Sequence, residues 1–162
     1  MPVQSTQMML SAAGSIVGSA WVSGNISAIS FLTIPCILQS GAAIDGIARA
    51  WRVQFIRTAY IPITTVVAAL NYLFLAHQHR AAGLEWRGYA GGALANLMLL
   101  PFTQIFIMGI NRKLMASTGD GKKLSNDEAR RLVDKWGNLN KFRIFIPLTG
   151  ATLGLWNLLI NF

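Results

Sequence analysis

Trp136, Asn140, Arg143 and Pro147 follow one another at spacings of four, three and four residues. On an α-helix these positions fall within about 60° of one another, on a single stripe. Arg contributes a permanent charge and a planar fork of donors, Trp a stacking face, and Asn a neutral donor and acceptor. Together these groups suit an oxyanion carried on an aromatic molecule. They also suit an interfacial anchor, because Trp and snorkelling Arg are common where helices leave a membrane.

Other polar residues extend the candidate set. Asp45, Arg49 and Arg52 repeat at i, i+4 and i+7 beside Trp51, which makes one charged helix face. The Asp45–Arg49 pair reads as ordinary helix support, worth about 0.2–0.5 kcal/mol. Asn96, Thr103 and Asn111 fall within about 80° on one helical face. Each long apolar stretch carries a carboxamide, Asn25, Asn71, Asn96 and Asn157. An unpaired amide in hydrocarbon is costly, so these are expected to face one another or to line a polar cavity, with structural glue between helices as the plain alternative.

The metal and redox signals are weak. His77 and His79 form an HxH pair without a neighbouring carboxylate or Cys, read as a solvated interfacial pair and only as fallback metal ligands. The lone Cys36 can form neither an internal disulfide nor a CxxC pair and reads as packing. GxGxxG, Cys clusters and carboxylate-rich sets are all missing from the sequence, so no metal-ligand set of adequate size is visible.

The elements that must position these groups follow from where charge is excluded. Residues 1–44 carry no charged side chain, and residues 58–79, 88–111 and 144–162 contain no Asp, Glu, Lys or Arg either. Each exceeds or approaches the roughly 20 residues that a helix needs to cross a bilayer. Composition agrees: 53% hydrophobic, 12% charged and a mean hydropathy of +0.45, where a soluble domain would carry about 25% charged residues. The fold class is therefore all-α, an integral membrane four-helix bundle. One transmembrane domain covers residues 1–162, with spans at about 10–38, 58–78, 88–110 and 144–161 and a polar loop with a helix extension at about 111–143. The first span lacks a preceding basic region and is too long for a usual cleaved signal, so it is expected to stay in the mature protein.

Net charge is +8, but its distribution argues for topology and against nucleic acid. Segment 45–57 holds three Arg, segment 111–143 holds nine Lys or Arg, and the connection between the second and third spans holds Arg80 and Arg87. With four spans, twelve basic residues then face two across the bilayer. The positive-inside tendency puts segment 111–143 in the cytoplasm and both chain ends on the other side.

Packing signals are present as well. Gly14/Gly18, Gly88/Gly92 and Gly150/Gly154 are small-xxx-small pairs, which let helix backbones approach where apolar burial drives no association. A tight intramolecular bundle is expected, and a homo-oligomeric contact stays open. Ser125 with Glu128 reads as a capping box, so the fourth helix is expected to begin well before the bilayer.

Taken in order, these residues resemble the fungal anthrone oxygenases, a membrane group within a wider family of four-helix proteins. The resemblance begins with Trp21, Ser23, Gly24, Ser30 and Pro35 and continues through Trp51 and Pro62. It is clearest in Pro101, Phe102, Thr103, Met108, Asn111 and Leu114, and then in Trp136, Leu139, Asn140, Arg143 and Pro147. It covers nearly the whole chain, with Gly109 and Ile110 standing where many members have Pro-Thr.

The resemblance implies oxidation of an aromatic polyketide anthrone to its anthraquinone by dioxygen, without flavin, haem or metal. The partners would be a small hydrophobic aromatic substrate, dioxygen and the lipid bilayer, in the endoplasmic reticulum or another secretory membrane. On this reading Arg143 and Asn140 stabilise the anthrone oxyanion, Trp136 and Trp51 stack on the rings, and Asn111 positions the carbonyl edge, with Thr103, Asn96 and Asn25 as further substrate contacts. Asp45, a histidine or water takes the proton. The competing readings are a membrane cyclase or isomerase of a polyketide or terpenoid, a non-catalytic membrane adaptor, and a small transporter; the last usually needs a carboxylate in its first helix, which this chain lacks.

Overall fold

A computed structural model of the chain describes residues 6–40, 44–118 and 124–161. These form seven α-helices, α1 (Thr6–Ala28), α2 (Ile34–Gln39), α3 (Ile44–Arg57), α4 (Tyr60–Ala81), α5 (Arg87–Phe102), α6 (Met108–Ser117) and α7 (Asn126–Ile160). Two π-helical turns interrupt them, π1 (Ile29–Thr33) between α1 and α2 and π2 (Thr103–Ile107) between α5 and α6. Read through these turns, four helices are long and apolar enough to cross a membrane: Thr6–Gln39, Gly46–Ala81, Arg87–Ser117 and Asn126–Ile160. The chain is an all-α four-helix membrane bundle.

Helix order around the bundle is α1, α4, α5, α7 and back to α1. A serine ladder on α1, at Ser11, Ser15, Ser19 and Ser23, brings its backbone against both neighbours. Ser11 Oγ donates to Asn71 Oδ1 at 2.8 Å, and Asn71 Nδ2 donates to Ser15 Oγ at 2.7 Å. Ser23 Oγ reaches the Ile144 carbonyl of α7 at 2.8 Å. Such hydrogen bonds matter in lipid, where a Leu stripe would gain nothing over the acyl chains.

Of the three glycine pairs, two work as expected. A Cβ on Gly88 would lie 2.5 Å from Asn157 Cβ, one on Gly150 would strike Asn96, and one on Gly154 would strike the Tyr72 hydroxyl, so α5 and α7 meet backbone to backbone. The first pair divides: Gly18 is half-buried, and a Cβ there would lie 4.0 Å from Ala68 Cβ of α4. Gly14 is exposed and has nothing within 4 Å, because the small face that α1 turns inward is the serine ladder. Cys36, expected to pack, is exposed on α2.

The segment expected as a polar loop with a helix extension at 111–143 carries helix at both ends. The third membrane-length helix continues to Ser117, and α7 starts at Asn126, where Ser125 Oγ accepts from the Glu128 amide as the cap predicts. At the far end of the bundle, the α4–α5 turn is clamped by α7: Asn157 Nδ2 and Asn161 Nδ2 both donate to the Glu85 carbonyl, and Asn157 Oδ1 accepts from Gly88 N. Glu85 itself caps α5 through the amides of Arg87 and Trp86, and the Arg87 amide first among them holds its carboxyl below the usual carboxylate range.

Candidate active site

The two π-turns sit at the same end of the bundle and open it. Pro35 follows the first and Pro101 precedes the second; Pro35 lacks an N–H and crowds the Phe31 carbonyl one turn earlier, inside π1, which favours a local i+5 arrangement there. Ile34 N bonds to Ile29 O, and Met108 N to Thr103 O, each five residues back. The widened backbone is partly repaired by side chains, with Ser30 Oγ donating to Ile26 O at 2.7 Å and Thr103 Oγ1 to Leu99 O at 2.7 Å.

Between these turns, the α3–α4 corner and α7 lies a cavity of about 370 Å³, inside the range of roughly 300–1,000 Å³ typical of small-molecule sites. Ile26 and Ile29 form its floor from the first span, Phe55 to Pro62 the corner, and Leu99 to Met108 the wall built on π2. Asn111, Trp136, Asn140 and Arg143 close it. The lining is overwhelmingly apolar, and polarity is concentrated in that last group.

The stripe read from sequence is intact. Trp136, Asn140 and Arg143 all line the cavity, and Pro147 is buried one turn further along. Trp136 Nε1 donates to Asn111 Oδ1 at 2.8 Å, locking the indole plane and tying α7 to α6. Arg143 Nη1 donates to Asn140 Oδ1 at 2.6 Å. Beyond that bond the pair is unsatisfied: Arg143 Nε and Asn140 Nδ2 are buried donors without an acceptor. No carboxylate pairs with Arg143 among the described residues. A positive charge in an apolar cavity is costly, and buried donors left unpaired beside it are what an anionic ligand would complete.

Thr103 and Asn111 line the cavity as expected; three other expected contacts do not. Trp51 is fully buried behind the wall, stacked on Phe55 at 5.1 Å and edge-on to Trp136 at 5.8 Å between ring centroids, so it supports two lining rings without being one. Asn96 lies two turns deeper, donating to the Gly92 carbonyl of its own helix and packed against Gly150. Asn25 faces outward, where Nδ2 donates to Trp21 O and Oδ1 accepts from the Tyr60 hydroxyl. The carboxamides thus act as glue between and within helices and do not converge on one another.

Of the base candidates, neither histidine lies at the cavity. Asp45 is the second residue of α3, and its side chain lies outside the described residues. His77 is exposed, whereas His79 is fully buried, with Nδ1 2.9 Å from Leu75 O and its ring edge-on to Tyr89 at 4.9 Å. The expected solvated pair is therefore split, because adjacent-but-one helical positions diverge by about 160°. Both sit at the end of α4 opposite the cavity. Among the described residues no three His, Cys, Asp or Glu side chains gather into a metal-binding group. Sequence reasoning missed Phe55, Thr58, Gln104 and Met108 in the lining; Phe55, four residues after Trp51, was the one with a readable signal.

The anthrone oxygenase family profile matches residues 51–153, the stretch that contributes most of this cavity. The chain is 31% identical over 145 residues to a monooxygenase of Dothistroma septosporum, covering 86% of this chain and 78% of that protein. It is 29% identical over 145 residues to an anthrone oxygenase of Claviceps purpurea, covering 86% and 83%. A noranthrone monooxygenase of Aspergillus flavus is 23% identical over 145 residues, covering 86% and 69%. No solved structure matches the chain.

Proposed function

The chain belongs to the anthrone oxygenase family and is a monooxygenase of that type; from that premise we propose that it oxidises the methylene of a polyketide anthrone to the quinone carbonyl in the cavity beside Arg143, without a redox cofactor. The observation that carries this reading is the guanidinium of Arg143 in an apolar cavity, its Nε–H and the neighbouring amide donor of Asn140 both buried and unpaired among the described residues.

The chemistry follows from these groups. Loss of a proton from the methylene leaves an anion whose charge lies largely on the carbonyl oxygen. Arg143 and Asn140 donate to that oxygen and so make the carbon acid stronger. Among the described lining residues Arg143 is the only one with an ionisable side chain, so water takes the proton and the guanidinium does the activating. The aromatic carbanion is a strong reductant and passes one electron to dioxygen, giving a substrate radical and superoxide. Their recombination at the former methylene carbon forms a carbon–oxygen bond. The resulting hydroperoxide loses water with the second methylene hydrogen, so that methylene plus O2 gives carbonyl plus H2O. Trp136, held in plane by Asn111, stacks on the rings, with Phe55 as the opposing aromatic wall. Residence in the endoplasmic reticulum or another secretory membrane goes with this reading, since the reactants are themselves apolar.

The test is oxygen uptake by the purified chain in vesicles supplied with an anthrone. One O2 consumed per quinone formed is expected, with one atom of 18O2 recovered in the quinone and one in water. Absence of uptake above the spontaneous rate, or release of stoichiometric hydrogen peroxide, would overturn it.

A further inference from the structure

The cavity is not closed on all sides. Most of its lining is buried or half-buried, but Ile56, Ala59, Pro62 and Gln104 are exposed. The first three lie on the α3–α4 corner and the fourth on π2, so they border a gap between two neighbouring helices. The surface around that gap is lipid-facing in character: Ile63 is 65% exposed, Ile105 71% and Phe106 52%. On π2 the side chains divide, with Thr103 and Ile107 turned to the cavity, Ile105 and Phe106 turned outward, and Gln104 at the boundary. Exposed Arg57 marks the interface just beyond the corner, where its side chain can snorkel.

We propose that the site is loaded and emptied sideways from the bilayer, through this gap between the α3–α4 corner and π2, by planar aromatic molecules already dissolved in the hydrocarbon. The identity of the molecule rests on the function proposed above; the direction of the opening does not. A neutral tricyclic aromatic concentrates in lipid because its transfer to water exposes apolar area, so a route through water would add a barrier that the lateral route avoids. Dioxygen is apolar too, and reaches the cavity by the same path. Gln104 is the polar side chain of the rim and is placed to hand the carbonyl edge of an entering ring toward Thr103 and Asn111, whereas Ala59 leaves room at the rim for the ring to pass.

Two measurements on the full chain in phosphatidylcholine vesicles test this separately. In a Cys36→Ser background, nitroxides are attached at Gln104→Cys, at Ile105→Cys as the lipid-facing control and at Arg112→Cys as the water-facing control. Relaxation at position 104 should be enhanced by oxygen more than by an aqueous nickel chelate, as at 105. A label at 104 that follows 112 instead would overturn the lateral opening, whatever the reaction proves to be. In the second experiment, binding of 1,8-dihydroxyanthraquinone is followed by stopped-flow fluorescence in the parent chain and in Ala59→Leu and Ala59→Trp. A gate predicts that association and dissociation slow together, in the order Ala, Leu, Trp and by tenfold or more in the last, with affinity kept. Unchanged association, or loss of affinity with association unaltered, would overturn use of the gap. Failure of the parent chain to bind the quinone would count against the proposed function and leave the spin-label result to decide the opening.

Discussion

The indole N–H of Trp136 donates to Asn111 Oδ1 at 2.8 Å in the lining of the cavity, joining α7 to α6. Both groups are buried, so each depends on the other. Replacing Asn111 with Leu leaves a buried donor unpaired and should destabilise the bundle by about 1–3 kcal/mol, and Trp136→Phe should cost about 1 kcal/mol. The double variant should be less destabilised than the sum, because neither polar group is then stranded. Thermal unfolding in detergent measures all three; strict additivity would mean that the bond contributes nothing.

The glycines divide into two groups whose substitutions should behave oppositely. Gly88→Ala brings a Cβ to 2.5 Å from Asn157 Cβ and 2.7 Å from the Leu153 carbonyl; the backbone atom cannot move aside cheaply. About 1–3 kcal/mol of destabilisation is expected, the usual cost of overpacking. Gly14→Ala meets nothing within 4 Å and should be stabilising by up to about 1 kcal/mol through helix propensity. Equal effects of the two in an unfolding assay would deny the α5–α7 contact its backbone-to-backbone character.

How far the site could be read from sequence depended on knowing depth as well as angle. α7 runs uninterrupted from Asn126 to Ile160, so arithmetic at 3.6 residues per turn put Trp136, Asn140 and Arg143, within two turns of one another, on one stripe of the cavity. The same arithmetic put Asn96 on the face of Thr103, but Asn96 lies two turns further along the regular α5 and ends up against Gly150. Nothing local distinguishes a proline that kinks from one that seeds a π-turn, so Pro35 was visible but its effect was not. Asn25 and His79 were unreadable for another reason. Their partners, Tyr60 and Tyr89, come from other helices, and amphipathicity says little in a bundle whose outer surface is also apolar.

Topology is expected to follow the basic residues. The cavity end carries Arg49, Arg52, Arg57, Arg112 and Lys113 around α3 and α6, and should face the cytoplasm. In a Cys36→Ser background, Ser117→Cys should react with an impermeant maleimide only after sealed cytoplasmic-side-in vesicles are opened. His77→Cys, toward the opposite end, should react without opening. The reverse pattern would place the cavity on the other side of the membrane.

Metal removal should leave turnover unchanged. Among the described residues the cavity lining offers carboxamides and hydroxyls but no His, Cys or carboxylate, and neutral oxygen donors alone hold transition metals weakly. Dialysis against a strong chelator followed by the oxygen-uptake assay checks this. Loss of activity that one particular metal restores would redirect attention to His77 and His79 as ligands.

Arg143 is the residue on which the proposed reaction turns, and Lys is its most informative replacement. An interfacial anchor would accept Lys, because both side chains snorkel and both are cationic. An oxyanion contact shared with Asn140 would not, because the ammonium lacks the planar fork that bonds Asn140 Oδ1 on one edge and a ligand on another. Arg143→Lys is therefore expected to fold and insert normally while turnover falls by about 100-fold or more, the usual loss when an oxyanion donor is removed from a dry site. Asn140→Ala should show a smaller loss of the same kind, since it removes one neutral donor and loosens the guanidinium without removing its charge. Steady-state oxygen uptake, with quinone binding measured in parallel, separates lost turnover from lost affinity. If Arg143→Lys turned over at near the parent rate, the guanidinium would be an anchor only, and the activating group would have to be sought at Asp45.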